Sequence, residues 1–169
     1  MKTILTAIAI ALLLPLTNIA PEFWKSFLCY PSAQFSGLFL NAPIMATGEG
    51  YMILVPPFPI HVTLSCSAAG FFVLSTILAA VVFTDRQKGL RIGSLLAAGA
   101  YGYGVTLAAN CARIILAWYA ERCARLVLAE PFWGSVHLCV GLGVFVTFLV
   151  LAYGILTWRP RHEQLAQTI

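Results

Sequence analysis

The chain has 169 residues, of which 60% are hydrophobic and only 9% charged, with a net charge of +4. Soluble domains carry roughly 25% charged and 45–50% apolar residues, and a chain this short cannot hide so much apolar surface in one core in water. The composition therefore excludes an ordinary soluble domain and points to a single integral membrane domain over residues 1–169.

A spanning helix needs about 20 mostly apolar residues. Four segments qualify, which predicts an all-α polytopic bundle of about four transmembrane helices. The first is Thr3–Ala20. It reads as an uncleaved anchor, because a cleavage site at Asn18-Ile19-Ala20 lacks a small residue at its first position. Pro21–Leu64 reads as a Pro-rich loop interrupted by Pro31, Pro43, Pro56, Pro57 and Pro59. Prolines remove backbone donors, which excludes a fifth span through Tyr51–Leu64. Trp24, Phe27, Phe35, Leu38 and Phe39 predict that this loop lies on the membrane surface. Ile60, Val62 and Leu64 alternate with His61, Thr63 and Ser65, the period of a short extended lead-in. The second span is Ser65–Phe83. The third, Ile92–Tyr119, contains Asn110 and Arg113. The fourth, Ser135–Trp158, has His137 near its start.

Charge predicts the orientation. Lys2, Arg86, Lys88, Arg91, Arg159 and Arg161 fall on one side of four spans, and Lys25, Arg122 and Arg125 on the other. The richer side is expected to be cytoplasmic. That gives a multi-pass inner (plasma) membrane protein with both termini cytoplasmic. The Pro-rich loop and the Ala120–Gly134 loop are then extracytoplasmic. Positive charges at helix ends also explain the basic balance without nucleic acid, which needs a clustered basic face; membrane lipid is the partner they imply.

Reactive groups converge on this topology. Cys66 opens the second helix and His137 the fourth, both at outer ends. Arg113 lies six residues before Tyr119, roughly 9 Å below the outer end of the third helix. Cys111, Cys123 and Cys139 read as small apolar filler, and a histidine at a helix end is commonly a cap or a headgroup contact. Arg113 is harder to dismiss. A charge inside a span costs at least about 2.5 kcal/mol, so it usually faces a partner or a cavity; snorkelling is the alternative. Gly70 and Gly141 each follow a reactive residue by four, on the same helix face, where small residues allow close helix approach. Asn110 shares a face with Arg113.

Cysteine, histidine and arginine together suit nucleophilic chemistry. A thiolate attacks a carbonyl, histidine moves the proton, and a fixed cation stabilises the oxyanion. The spans contain no carboxylate, which disfavours a Ser/His/Asp site or an Asp/Glu-based proton carrier. Five cysteines without a CxxC pair support neither a zinc ribbon nor a thioredoxin motif. His61, Cys66 and His137 lack tight ligand spacing, so neither a metal nor a cofactor is expected. Two other classes remain open on the residues alone. One is a four-helix membrane thiol oxidoreductase using outward Cys29, Cys66 and Cys123; the other is a non-catalytic transporter or scaffold subunit.

Three elements occur in order: Val-Thr-Leu-Ser-Cys66-Ser-Ala-Ala-Gly70-Phe-Phe, Ala-Asn110-Cys-Ala-Arg113-Ile-Ile, and His137-Leu-Cys-Val-Gly141. Over roughly residues 48–145 the chain resembles the exosortase/archaeosortase family of membrane cysteine transpeptidases, and most of all its compact members such as exosortase K. It departs from the family pattern in placing glycine at position 70 rather than close after the cysteine, and in lacking extra N-terminal helices. The resemblance implies substrate proteins carrying a C-terminal motif such as Pro-Glu-Pro, a transmembrane helix and a basic tail. They would be cut at the extracytoplasmic face, and the new carboxyl end passed to an acceptor. It implies Cys66 as nucleophile, His137 as proton-transfer residue, Arg113 as oxyanion or substrate ligand and Asn110 as support. Arg122 and Arg125 would attract an acidic recognition motif.

Overall fold

The computed structural model describes residues 21–63, 68–86, 92–127 and 132–158. The expected span Thr3–Ala20 lies outside the described residues, and so does Cys66. The chain is mostly helical, but the expectation of an all-α fold is corrected by a three-stranded antiparallel sheet of order β1-β2-β3. The elements are α1 (Pro21–Trp24), a π-helical turn (Lys25–Cys29), α2 (Tyr30–Phe39), β1 (Ile44–Thr47), β2 (Gly50–Ile53), β3 (Ile60–Thr63), α3 (Ala69–Arg86), α4 (Ile92–Val127) and α5 (Trp133–Thr157).

The Pro-rich loop is the largest departure from expectation. Residues 21–39 form a nearly continuous helical run, not a loop, and it packs against α4. Pro31 does not break it, because a proline near a helix start loses little. Pro31 has no N–H to offer the carbonyl four residues back. That carbonyl, on Phe27, accepts a hydrogen bond from the Tyr103 hydroxyl at 3.1 Å instead. The run buries Cys29, Ser32, Ala33, Ser36 and Gly37, a helical spacing of small residues. Asn41 ends it in the left-handed region (φ 50°), and Ala42 N–H bonds Gly37 O at 2.9 Å. This is a helix stop that asparagine tolerates, with Pro43 soon after.

The sheet packs on this run and on α4. Cys29, Ala33, Ile53, Val62 and Ile114 form one buried cluster, with Ile44, Tyr51 and Ile60 around it. The extended lead-in expected at Ile60–Leu64 is present as β3, which pairs with β2 in the register Ile60↔Ile53 to Thr63↔Gly50. The hairpin β1–β2 had no forecast. Its two-residue connection, Gly48-Glu49, joins strands that pair Thr47↔Gly50.

Two helices, Ile92–Val127 and Gly134–Thr157, are long and apolar enough to cross a membrane, and Ala69–Asp85 is a shorter apolar helix. On α5 the side chains of Leu138, Leu142, Val146, Val150, Leu151 and Ile155 all point outward, a surface far more apolar than water-exposed helices normally carry. The third span was expected to stop at Tyr119, but α4 continues unbroken to Val127. The expected Ala120–Gly134 loop is therefore helical over its first half, and Arg122 and Arg125 sit on that helix. The second described apolar helix begins at Ala69, after Ala68 in the left-handed region (φ 56°).

α3 and α4 meet through small and hydroxylated residues. Ser75 Oγ donates to Phe72 O at 3.1 Å or Gly102 O at 3.2 Å and contacts Thr106 Oγ1 at 3.2 Å. A Cβ on Gly102 would overlap Thr76 Oγ1 and stand 2.9 Å from Thr76 Cα. Helix propensity alone favours Gly→Ala by about 1 kcal/mol, but this contact is with backbone and cannot give. Gly102→Ala is therefore expected to destabilise the protein by about 1–3 kcal/mol. Gly104→Ala, with open space around its Cβ position, should be neutral or stabilising. Thermal unfolding of the two variants in detergent checks the contrast.

Candidate active site

The first turns of α5, the stretch of α4 above Asn110 and the lead-in to β3 enclose a cleft of about 340 Å³. The lead-in contributes Phe58 and Pro59, and β3 itself Ile60 and His61. α4 contributes Arg113, Ile114, Trp118, Glu121 and Arg125, and α5 contributes His137. Arg113 and His137, expected to converge, line the same cleft. His61, placed by the sequence in a short extended lead-in, lines it as well.

Arg113 is held from three elements. Its Nε donates to Asn110 Oδ1 at 3.2 Å. Asn110 is 1% exposed, and its Nδ2 donates to Ser32 Oγ at 3.0 Å. Ser32, on α2, is equally buried. The Arg113 bond sets which way the Asn110 amide faces, because the reversed amide would turn an N–H toward the guanidinium, donor against donor, and the Ser32 hydroxyl then accepts from the amide. From α5, the Arg113 guanidinium carbon lies 5.4 Å from the centre of the Phe145 ring, within cation–π range. Phe145 stacks in turn on Phe71 of α3 at 4.7 Å. Gly141 leaves room for the stem: a Cβ there would sit 3.3 Å from Arg113 Cδ. Gly70 is different. It is exposed, and no described residue comes within 4 Å of its Cβ position.

The two other arginines divide. Arg125 lines the cleft with its guanidinium 4.3 Å from the Phe58 ring centre, and its Nε donates to Glu121 at 3.1 Å. Arg122 stacks on Trp118 at 5.6 Å and does not line the cleft. The Trp118 indole donates to Phe58 O at 3.3 Å, tying the lead-in to α4. Cys29, expected to face outward, is fully buried with its Sγ 3.5 Å from Thr63 O. Cys111 is half-buried against Ser32 O at 3.7 Å, while Cys123 and Cys139 are exposed. No group of three metal-ligating side chains occurs among the described residues.

Chemically, the cleft offers a guanidinium in a fixed direction, two imidazoles, a carboxylate-paired arginine and an aromatic wall. Such a set favours an anion, or a carbonyl that becomes one. Sequence reasoning missed Ser32, Phe145, Phe58, Trp118 and Glu121. Ser32 alone had a readable signal, its place in the small-residue face of residues 29–37. No protein-family model matches the chain, and neither a curated protein nor a solved structure does.

Asn110→Leu keeps the branched shape of the side chain, though not its volume, and removes both hydrogen bonds. It is expected to cost about 1–3 kcal/mol, the usual penalty for breaking a buried polar pair. Ser32→Ala combined with Asn110→Leu should cost less than the sum of the single changes, because the residues share one bond. A double-mutant cycle on detergent unfolding measures this; strict additivity would mean that the two are not coupled.

Proposed function

We propose that the chain is an exosortase-like membrane cysteine transpeptidase, cutting a C-terminal sorting signal on exported proteins at the extracytoplasmic face. One observation carries the reading: Arg113, clasped by Asn110, shares a cleft with His137. A cation anchored in this way does not need to reorganise as charge develops, which is the requirement for oxyanion stabilisation. Cys66 follows the cleft-lining His61 by five residues, and its role as nucleophile rests on the resemblance of its motif.

The chemistry follows from these roles. His137 takes the Cys66 thiol proton, and the thiolate attacks the scissile carbonyl carbon. The carbonyl oxygen becomes an oxyanion facing Arg113. The C–N bond breaks as His137 protonates the departing amine, leaving a thioester on Cys66. A hydroxyl, amine or water then attacks the thioester, giving its proton to His137, and the thiolate leaves. The C-terminal helix and basic tail of the substrate are released with the amine.

In cells co-expressing an exported reporter with a Pro-Glu-Pro motif, a spanning helix and a basic tail, Cys66→Ala should leave the reporter uncut at normal enzyme levels. Cys29→Ala, Cys111→Ala, Cys123→Ala and Cys139→Ala should each keep most processing. Processing by a well-expressed Cys66→Ala enzyme would overturn the reading. Arg113→Lys should insert stably and process the reporter at least about 10²-fold more slowly, because an ammonium lacks the planar fork. His137→Ala should cost far more activity than His61→Ala.

The proposed orientation has its own check. Reporter fusions after Lys88 and Arg161 should lie in the cytoplasm, and those near Gly48 and Arg125 outside. An external Lys88 would put the cleft on the wrong face for exported substrates.

A further inference from the structure

Three ionic side chains besides the histidines line the cleft: Arg113, Arg125 and Glu121. Two positive charges against one negative leave the lining with one positive charge in excess when the imidazoles are neutral. A single further carboxylate would balance it. Arg113 is engaged by Asn110. Arg125 lies 12 residues further along α4, about 18 Å along the axis, so the two guanidiniums serve different parts of a bound chain.

Arg125 already holds a carboxylate. Its Nε and Nη2 both donate to Oε1 of Glu121, one turn back on the same helix. Strong arginine–carboxylate pairs are fork to fork, with two donors on two different oxygens. Both donors on one oxygen is the poorer arrangement, and exposed i,i+4 pairs contribute little. The guanidinium itself, by contrast, is well placed. Its carbon stands 4.3 Å from the Phe58 ring centre, and the Trp118 indole ties the Phe58 carbonyl to α4. The ring shields one face of the guanidinium, so an acceptor comes in at the edge, in the plane of the N–H groups. Arg122, three residues before Arg125, stacks on Trp118 instead and does not line the cleft.

We propose that Arg125 is the carboxylate-binding residue of the cleft, and that Glu121 holds its place until an acidic side chain of the polypeptide substrate displaces it. The inference rests on the function proposed above and names what is read in the substrate: one carboxylate near the scissile bond, received fork to fork. An extended chain rises about 3.3 Å per residue, so the spacing of the two arginines puts that acidic residue within about five residues of the bond to be cut. While the cleft is empty, Glu121 neutralises Arg125 and lowers its attraction for other anions. A ligand that offers a single acceptor, such as an amide oxygen, gains nothing by the exchange. The pair is therefore a filter for carboxylates.

The test measures how tightly full-length Cys66→Ala enzyme in detergent retains the Pro-Glu-Pro reporter and a Pro-Gln-Pro version of it, with cutting by the unmodified enzyme followed in parallel. Loss of the carboxylate should weaken retention by about ten- to a hundredfold, the usual cost of a charge-assisted bond. Arg125→Gln, made in the same background, should bring the Pro-Glu-Pro reporter down to the level of the Pro-Gln-Pro reporter and leave the latter unchanged. Arg122→Gln should keep the preference. Glu121→Gln should strengthen retention of the Pro-Glu-Pro reporter about twofold or more, since only a weak pair then ceases to compete. A preference that persists in Arg125→Gln, an equal fall of both reporters, or weaker retention by Glu121→Gln would overturn the proposal. Where Arg125→Gln fails to fold, the Glu121→Gln and Pro-Gln-Pro measurements decide alone. Equal retention of both reporters alongside normal cutting removes this proposal and leaves the proposed function standing. A reporter that is neither cut nor retained removes both.

Discussion

A guanidinium on an apolar helix must be solvated by the protein around it. At the centre of a bilayer the cost of a charge is at least about 2.5 kcal/mol, and partial burial in a protein wall carries a cost of the same kind. At Arg113 that cost is offset by groups from three segments far apart in the chain. Asn110 lies one turn away, Ser32 comes from α2 and Phe145 from α5. Each of these contacts is modest alone. Together they require α2, α4 and α5 to meet at one height, and the cleft follows from that meeting.

The helices can come so close because α4 carries a stripe of residues four apart: Ser94, Ala98, Gly102, Thr106, Asn110, Ile114 and Trp118, all buried. Between lipid-soluble helices there is little hydrophobic drive to associate, so close van der Waals contact and interhelical hydrogen bonds do the work. The lower part of the stripe is small and meets α3 at Ser75 and Thr76. The upper part grows larger, through Asn110 to Trp118, where the partners change from α3 to α2 and the lead-in of β3. One helix therefore serves as packing surface below and as cleft wall above.

The apolar helices were legible in the sequence because hydropathy over twenty residues averages out local detail. Their ends were not. Charged residues at 121, 122 and 125 resembled a loop, yet Glu121 and Arg125 are i,i+4 partners that support one more helical stretch. The segment 21–39 was misread because Pro31 was counted as a breaker, and the compensating donor, Tyr103, lies 72 positions further along the sequence. The hairpin had few signals beyond Gly48 and Gly50. Within the cleft, Arg113 and His137 were visible as anomalies in apolar helices. Ser32 and Phe145 were not, since a serine and a phenylalanine look unremarkable until the fold sets them beside a charge. Gly141 was chosen for the right spacing, but what it accommodates is a side-chain stem rather than a neighbouring helix backbone.

The length of α4 carries a mechanical consequence. Its 36 residues make a rod of about 54 Å, against a hydrocarbon thickness of about 30 Å. Arg113 stands 21 residues above Ile92, about 32 Å along the axis. The rod thus acts as a ruler: the distance from its lower end to the guanidinium is set by covalent geometry and does not adjust to the lipid. On the proposed topology, with the Ile92 end at the cytoplasmic face, a thicker bilayer would draw the cleft down among the headgroups and a thinner one would lift it into bulk water. Tilt is one compensation, and tilting α4 carries the cleft with it, because its walls are held to the same helix.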